Sequence, residues 1–284
     1  MLTILHLSDL HFGPPYLPRV GEAVIRFAPR AGPDVVVISG DLTQRAKPEQ
    51  FEQARSFIDR LPKVTQVVVP GNHDVPLFRL AERLGDPHGL YRKYICNDLD
   101  RVVTVGEAVI VALDSTSPRR TISNGRIHKT QLEFCQESFR DLAASTIKIV
   151  VAHHHFLPAP DYERDQTMMK AKRAIHQFVE LDVDLILGGH LHRAYVGNSL
   201  DVHAGRHRNR GIVHVQCGTT TSRRGRARER EKNSLNLINI DDEMLRVTHY
   251  MYFDELEDFA PVSRHIFPRH GRPFVEGRMH HADE

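Results

Sequence analysis

The sequence contains no tryptophan, only three cysteines and almost no net charge: 38 Lys and Arg face 36 Asp and Glu, which leaves +2. Cys96, Cys135 and Cys217 are scattered and odd in number, a pattern that argues against a disulfide framework and favours a reducing compartment. The balance of charge gives no overall reason to expect nucleic acid or an anionic membrane as a partner.

Long apolar runs are also missing. No stretch approaches the roughly 18 apolar residues that a membrane span needs. The first ten residues include His6 and Asp9 and carry neither a basic region nor a small-residue cleavage site. We therefore expect a cytoplasmic protein without membrane contact, and the sequence is compatible with a homodimer. A chain of 284 residues is long for one domain but suits a single α/β architecture.

Five short apolar runs each end in side chains of the kinds that bind metals. Such runs, closed by Gly or Pro, are typical of buried strands. In open α/β sheets ligands collect at the carboxyl ends of the strands, so the five tips should direct their donors to one place. The segments are ILHLSDLH (Asp9, His11), VVVISGD (Asp41), VVVPGNHD (Asn72, His73, Asp74), IKIVVAHHH (His153) and LILGGHLH (His190, His192).

The pattern between these tips predicts alternating strands and helices. The first two helices lie between strands, so the first half should be βαβαβ with parallel neighbours. After His192 the segments IVHVQCG, SLNLINID and LRVTHYMY follow one another without helices and are predicted to form an antiparallel second sheet packed on the first. The apolar spacing predicts helices at Pro18–Ala28, at Pro48–Leu61, from a capping box of Thr130 and Glu133 to Leu142, and near Met168–Leu181.

The donor spacing indicates a two-metal site. Asp9 and His11 stand at i and i+2, so in a strand both side chains leave the same face. Asp41 follows a glycine, and the two oxygens of a carboxylate there could bridge two ions about 3.5–4 Å apart. His190 and His192 repeat the i, i+2 spacing with imidazoles. With Asp41 shared, seven donor side chains provide four donors for each ion, in a mixture that suits Mn, Fe, Zn, Co or Ni. The seven are Asp9, His11, Asp41, Asn72, His153, His190 and His192.

The motifs DLH, GD, GNHD, AHHH and GGHLH, in this order, resemble those of the calcineurin-like metallophosphoesterases. The sequence looks most like the bacterial class III cyclic-nucleotide phosphodiesterases and their glycerophosphodiesterase relatives. The resemblance implies an α/β fold, a four-layer αββα sandwich of two mixed β-sheets flanked by helices. We expect residues 1–252 to form the catalytic domain and residues 253–284 to form an extended C-terminal arm.

The resemblance also implies roles for the individual side chains. His73 would not bind metal but would face the phosphate as an acid or charge stabiliser, with Asp74 orienting it. The first ion would take Asp9, His11, Asp41 and His192, and the second Asp41, Asn72, His153 and His190.

Three functions are compatible with this set of residues. The favoured one is hydrolysis of small phosphodiesters, such as 3′,5′-cyclic nucleotides, by in-line attack of hydroxide that two dications make available near neutral pH. A nuclease acting on DNA or RNA is the alternative, although it should display a basic groove and aromatic stacking surfaces. A non-catalytic scaffold of the same fold should have lost several donors, and all seven are present.

Several residues keep open interpretations. Adjacent strand residues face opposite ways, so His153 is assigned to the metal because it ends the apolar run, while His154 and His155 are predicted to be outer-layer or substrate contacts. His6 is expected to be a core or inter-sheet histidine. An arginine cluster is most simply a solvated loop, with binding of the substrate phosphate as the alternative. It comprises Arg223, Arg224, Arg226, Arg228 and Arg230.

Overall fold

The computed structural model describes residues 1–119, 125–159, 166–201 and 211–269. Two six-stranded sheets pack against each other, and helices cover the outer face of each. The prediction of a four-layer αββα sandwich is therefore confirmed.

Six strands form the first sheet: β1 (Leu2–Leu7), β2 (Val35–Ile38), β3 (Thr65–Val68), β10 (Ser234–Ile240), β11 (Met244–Phe253) and β12 (Asp258–Pro268). Their order in the sheet is β12-β11-β10-β1-β2-β3. Strands β1, β2 and β3 run parallel, as the βαβαβ prediction requires, while β10, β11 and β12 are antiparallel.

Six strands form the second sheet: β4 (Arg101–Val105), β5 (Ala108–Leu113), β6 (Ile147–Ala152), β7 (Leu185–Gly188), β8 (Tyr195–Asn198) and β9 (Val213–Gln216). Their order is β4-β5-β6-β7-β9-β8, with β5, β6, β7 and β9 parallel and an antiparallel strand at each edge. In each sheet the central parallel strands therefore end at the same edge, where side chains that follow them can meet.

The two longest helices begin with proline, which suits the first helical position because no partner is needed for the missing N–H. The first ends at Gly32, whose φ of 56° provides the left-handed cap. The helices are α1 (Pro18–Ala31), α2 (Pro48–Arg60), α3 (Leu80–Gly85), α4 (Gly89–Tyr94), α5 (Lys129–Phe139) and α6 (Ala171–Glu180), with 3₁₀ turns at Asn72–Asp74, Ser199–Asp201 and Ala227–Glu229.

Three buried apolar clusters correspond to the three contacts between the four layers. Residues of β1 alternate between two of them: Leu5 and Leu7 pack against α1 and α2, whereas Ile4 packs between the sheets. His6 has the same parity as Ile4, is buried, and has its Nε2 2.9 Å from the Ser39 hydroxyl. The prediction that His6 is a core or inter-sheet histidine is confirmed.

Three local predictions are wrong. The segments after His192 do not form one sheet, because β9 continues the parallel series of the second sheet while β10 and β11 join β1 in the first. Strand β12 pairs along β11, so residues 258–268 lie in the sheet rather than in a separate arm; residues 270–284 lie outside the described residues. Helix α5 begins at Lys129, and the Gln131 side chain accepts a hydrogen bond from the His128 N–H, in place of the predicted capping pair.

Among the residues that the structure describes, no helix combines the length and apolar character that crossing a membrane requires. The cytoplasmic location and the homodimer stay predictions.

Candidate metal centre

The ends of β1, β2, β3, β6 and β7 converge, and every predicted donor lies in the short segments that follow them. Five of the seven donors have a φ between 51° and 76°, in the left-handed region that residues other than glycine rarely adopt. Strained backbone of this kind persists only where the surrounding structure fixes it, and it is concentrated at functional sites. The five are Asp9, His11, Asp41, His190 and His192.

Two glycines permit the close packing of these segments. A Cβ atom on Gly71 would collide with the Asp41 carboxylate, and one on Gly189 would collide with the Ser8 hydroxyl and the Asp9 carboxylate. The glycines of the GNHD and GGHLH motifs are therefore required by direct contact with the carboxylates that carry the negative charge of the site.

The first group of donors is buried and compact. The Nε2 atom of His192 lies 3.1 Å from Asp9 Oδ1 and 3.1 Å from His11 Nε2, and His11 Nε2 lies 3.7 Å from Asp41 Oδ2. These carboxylate oxygens, Asp9 Oδ1 and Asp41 Oδ2, are buried and have no hydrogen-bond partner among the described residues. The two carboxylate oxygens and the Nε2 atoms of His11 and His192 face one another and could together hold a metal ion.

The second group lies on the other side of Asp41. His153 Nε2 is 3.4 Å from Asp41 Oδ1 and 3.2 Å from the amide oxygen of Asn72. That amide oxygen is 2.9 Å from Nδ1 of His190. Asp41 thus directs one oxygen to each group, which is the geometry that a carboxylate bridging two ions requires.

Hydrogen bonds behind the donors fix which atoms face the centre. The Nδ1 atoms of His153 and His192 lie 2.7 Å from the Ser39 carbonyl and 3.1 Å from the Arg224 carbonyl, so each ring donates there and directs its Nε2 atom towards the centre. The Ser8 hydroxyl donates to Asp9 Oδ2 at 2.6 Å, and so leaves Oδ1 free.

The electrostatics favour ionised carboxylates. Burial raises the pKa of Asp9, but His192, His11 and His153 lower it more, and it lies well below its usual range. Burial raises the pKa of Asp41 as well, and the neighbouring histidines again lower it further. Burial lowers the pKa of His153, yet the charge of Asp41 outweighs this and raises it to about 9 in the metal-free protein. Metal binding there would release a proton.

His73 borders the cluster without pointing a ring nitrogen into it. Its backbone N–H donates to Asp41 Oδ1 at 2.8 Å, and its ring stands edge-on to that of His11, with centroids 4.8 Å apart. Nδ1 is 2.9 Å from the Gln44 carbonyl and Nε2 is 3.1 Å from Arg224 Nη1. Burial and Arg224 lower the pKa of His73, against the opposing charge of Asp41.

The prediction that Asp74 orients the His73 ring is wrong. Its buried carboxylate accepts hydrogen bonds from the backbone N–H groups of Leu42, Thr43 and Gly71 at 2.8–3.1 Å, and from the Thr43 hydroxyl at 3.0 Å. Burial, with the charge of Asp41, raises the pKa of Asp74 to about 7. Asp74 therefore ties together the two loops that carry Asp41 and Asn72.

His154 also reaches the second group, which the alternation argument did not predict. Strand β6 ends at Ala152, so the alternation of a strand no longer applies to the histidines that follow. A ligand nitrogen of His154 lies within 4.8 Å of those of His153 and His190, and its Nδ1 is 2.8 Å from the Ser115 hydroxyl. The end of the apolar run was the signal that could have revealed this.

A run of hydroxyl side chains supports the strained loop after β1. Thr219 Oγ1 donates to the Asp9 carbonyl at 2.7 Å and Thr221 Oγ1 to the Leu10 carbonyl at 2.9 Å, while the Thr220 hydroxyl accepts from the Ser8 N–H at 3.0 Å. Sequence reasoning found no role for these residues, because their partners lie about 210 positions away.

Comparison with known proteins identifies the family of the chain. A sequence model of calcineurin-like phosphoesterases matches residues 2–194, which include all seven predicted donors. The chain belongs to the calcineurin-like phosphoesterase family. Membership supports a metal-dependent hydrolase.

One relative and two solved structures illustrate the likeness. A probable cyclic nucleotide phosphodiesterase of Synechococcus sp. is 27% identical over 216 residues, which are 69% of this chain and 75% of that protein. A purple acid phosphatase from yellow lupin (Lupinus luteus) superposes with a TM-score of 0.69 at 14% identity, over 94% of this chain but only 54% of its own. A dimetal phosphatase from Danio rerio gives 0.62 at 12% identity, over 94% of this chain and 99% of its own. These two structures show a shared fold.

Proposed function

We propose that this protein is a two-metal phosphodiesterase that acts on small phosphodiesters, with 3′,5′-cyclic nucleotides as the favoured class. The observation that carries the proposal is the placement of Asp41, whose two carboxylate oxygens face different groups of donors at 3.7 Å and 3.4 Å. An isolated buried carboxylate between histidines needs no such arrangement, whereas a bridge between two cations does.

The residues present fit two divalent ions. Asp9, His11, Asp41 and His192 would hold one, and Asp41, Asn72, His153 and His190 the other; their oxygen and imidazole donors suit Mn, Fe, Zn, Co or Ni. The buried Asp9 Oδ1 and Asp41 Oδ2 have no hydrogen-bond partner among the described residues, which suits carboxylate oxygens that bind a cation. Ions bound there would supply hydroxide near neutral pH and neutralise charge on phosphoryl oxygens.

The surrounding residues favour hydrolysis at phosphorus without a covalent intermediate. The mouth of the donor cluster is bordered by His73 and Arg224, which offer hydrogen bonds and positive charge. The neighbouring hydroxyls of Thr219 and Thr221 are committed to backbone carbonyls, so they are not available as nucleophiles. The preference for cyclic nucleotides is supported by the name of the Synechococcus relative and by the near-balanced charge of the chain.

The nuclease alternative keeps some support, because the exposed side chains of Arg223, Arg226 and Arg230 follow the last site segment. Against it, the sequence has no tryptophan and only 7% aromatic residues to stack on bases. A scaffold with a decayed site is not favoured, since all seven donors converge.

The proposal is tested by hydrolysis assays of the protein loaded separately with Mn, Zn, Co, Ni and Fe. Substrates are bis(p-nitrophenyl) phosphate, p-nitrophenyl phosphate, cyclic AMP and a short single-stranded oligonucleotide. We expect diester and cyclic-nucleotide hydrolysis that a chelator abolishes and added metal restores. Preferential cleavage of the oligonucleotide, with a steep loss of activity as salt rises, would replace the proposal with the nuclease. Absence of any hydrolysis with all five metals would contradict it.

A further inference from the structure

One arginine of the cluster after β9 differs from its neighbours. Arg223, Arg226 and Arg230 are exposed, as a solvated loop predicts, whereas Arg224 is half-buried and reaches the donor cluster. The solvated-loop interpretation is therefore wrong for Arg224. Nothing is described for the side chain of Arg228.

Within the described part of the chain, the guanidinium of Arg224 has two hydrogen-bonding partners, Gln44 and His73. Its Nη1 donates to the Gln44 side-chain oxygen at 2.9 Å and lies 3.1 Å from His73 Nε2. Among the described residues it forms no ion pair with a carboxylate and no hydrogen bond through Nε or Nη2. Asp41 and Asp9 act on its charge only from a distance. An arginine that is always charged, half removed from water and without a direct ion pair among the described residues is suited to an anion that arrives with a ligand.

The hydrogen-bond partners of His73 indicate whether His73 or Arg224 carries the positive charge beside the donor cluster. The ring places Nδ1 2.9 Å from the Gln44 carbonyl, which can only accept, so the proton is assigned to Nδ1. Nε2 then accepts from Arg224 and the ring is neutral. His73 and Gln44 thus hold the guanidinium in place, and Arg224 supplies the positive charge.

The backbone around Arg224 is fixed to the site on both sides. The Arg224 carbonyl accepts from His192 Nδ1 at 3.1 Å, and the N–H of Arg226 donates to the His192 carbonyl at 3.0 Å. The N–H of Arg223 donates to the Pro15 carbonyl at 3.0 Å, in the loop that follows the Asp9 segment. The buried Glu229 fixes the later part of the same segment, because its carboxylate accepts a hydrogen bond from the N–H of Ala194 at 2.7 Å. The arginine is therefore held at a defined position.

We propose that Arg224 binds the non-bridging oxygens of the substrate's phosphoryl group, and that His73 and Gln44 are its positioning residues. The inference rests on the proposed two-metal function and adds a specific contact to it. The planar fork of a guanidinium matches two oxygens of a tetrahedral phosphate, and no described residue forms a hydrogen bond with Nε or Nη2 of Arg224. A phosphate held by two dications and Arg224 would meet positive charge on more than one side.

Binding of inorganic phosphate to the Mn-loaded protein, measured by calorimetry, tests this contact without requiring turnover. We expect Arg224→Met to weaken phosphate binding by about 10–100-fold, the usual range for a lost charge-assisted hydrogen bond, with unchanged metal content. Arg224→Lys should recover part of the affinity because it keeps the charge but not the fork. Gln44→Leu should cause a smaller loss. Arg226→Met and Arg223→Met, matched changes at exposed arginines, should leave phosphate affinity unaltered.

Equal phosphate affinity in Arg224→Met and the unaltered protein, at equal metal content and thermal stability, would overturn the inference. So would equal losses in Arg224→Met and Arg226→Met, which would indicate only a general effect of charge. If the unaltered protein binds phosphate through Arg224 but hydrolyses no diester, the inference stands and the proposed function fails. If it hydrolyses diesters and Arg224→Met changes neither KM nor kcat, the inference fails and the function stands.

Discussion

The two groups of donors on either side of Asp41 differ in exposure and in charge. The first combines Asp9 and Asp41 with two imidazoles and is fully buried. The second shares Asp41 but adds the neutral amide of Asn72, and both Asn72 and His190 are partly exposed. Two ions bound to one carboxylate bridge would thus meet different environments.

This difference predicts a division of roles. Two anionic donors in a buried site should bind a cation tightly and exchange it slowly, because charges interact more strongly away from water. One shared carboxylate and an amide should bind more weakly, and the partial exposure leaves room for solvent or substrate. The second ion should therefore be the one that is lost first on dilution and regained last when metal is added to the metal-free protein.

The largest effect is expected from Asp41→Asn, which alters both groups at once. The bridge loses its negative charge and one of its two acceptor oxygens, so both ions should bind poorly and diester hydrolysis should fall by about 10³-fold or more. Metal content by elemental analysis should drop for both ions. Exposed Asp59→Asn provides the matched control. Retention of two ions by Asp41→Asn would show that the Asp41 carboxylate is not required as a bridge.

His73→Ala is expected to lower turnover by about 10²-fold, because it removes one of the two side chains that position the Arg224 guanidinium. The His73 ring contacts the Arg224 guanidinium, and burial and Arg224 both lower the pKa of His73, which disfavours a charged imidazolium. Losses should then be similar for cyclic AMP and for substrates with a p-nitrophenol leaving group. A loss confined to cyclic AMP would instead establish His73 as the general acid.

Asn72→Ala tests the weaker group by itself. We expect about a tenfold loss of activity at low metal concentration, largely recovered when metal is raised, because only one donor of the second group is removed. Elemental analysis should show loss of one ion and retention of the other. Asn97→Ala changes an exposed asparagine and serves as the control. Simultaneous loss of both ions from Asn72→Ala would show that the two groups do not bind independently.

The smallest effect is expected from His154→Ala. Its ring touches the second group, but Nδ1 is held by the Ser115 hydroxyl and four other donors already surround that position. Activity should change by less than about threefold, with a modest rise in the metal concentration needed for half-maximal rate. A loss comparable to that of Asn72→Ala would make His154 a donor in its own right.

The seven donors could be placed from the sequence because each follows a short apolar run, and strand ends in an α/β sheet share one edge. The pairing of β10 with β1 could not, since the register joins His6 to Asn236 and no local pattern specifies a partner so far away. The approach of Arg224 to His73 and the turn that brings in His154 depend on loop geometry, which strand periodicity does not encode. The order of the motifs in the sequence was enough to predict the family and the metal centre. The residues that support the motifs could be identified only from their contacts in the folded structure.

The most direct test of the two-metal claim is a crystal structure of the Mn-loaded protein with anomalous diffraction data. We expect two anomalous peaks, one on each side of the Asp41 carboxylate and about 3.5–4 Å apart, with the peak beside Asn72 weaker. A single peak centred among Asp9, His11 and His192, in crystals of protein that is fully active at the same metal concentration, would contradict it.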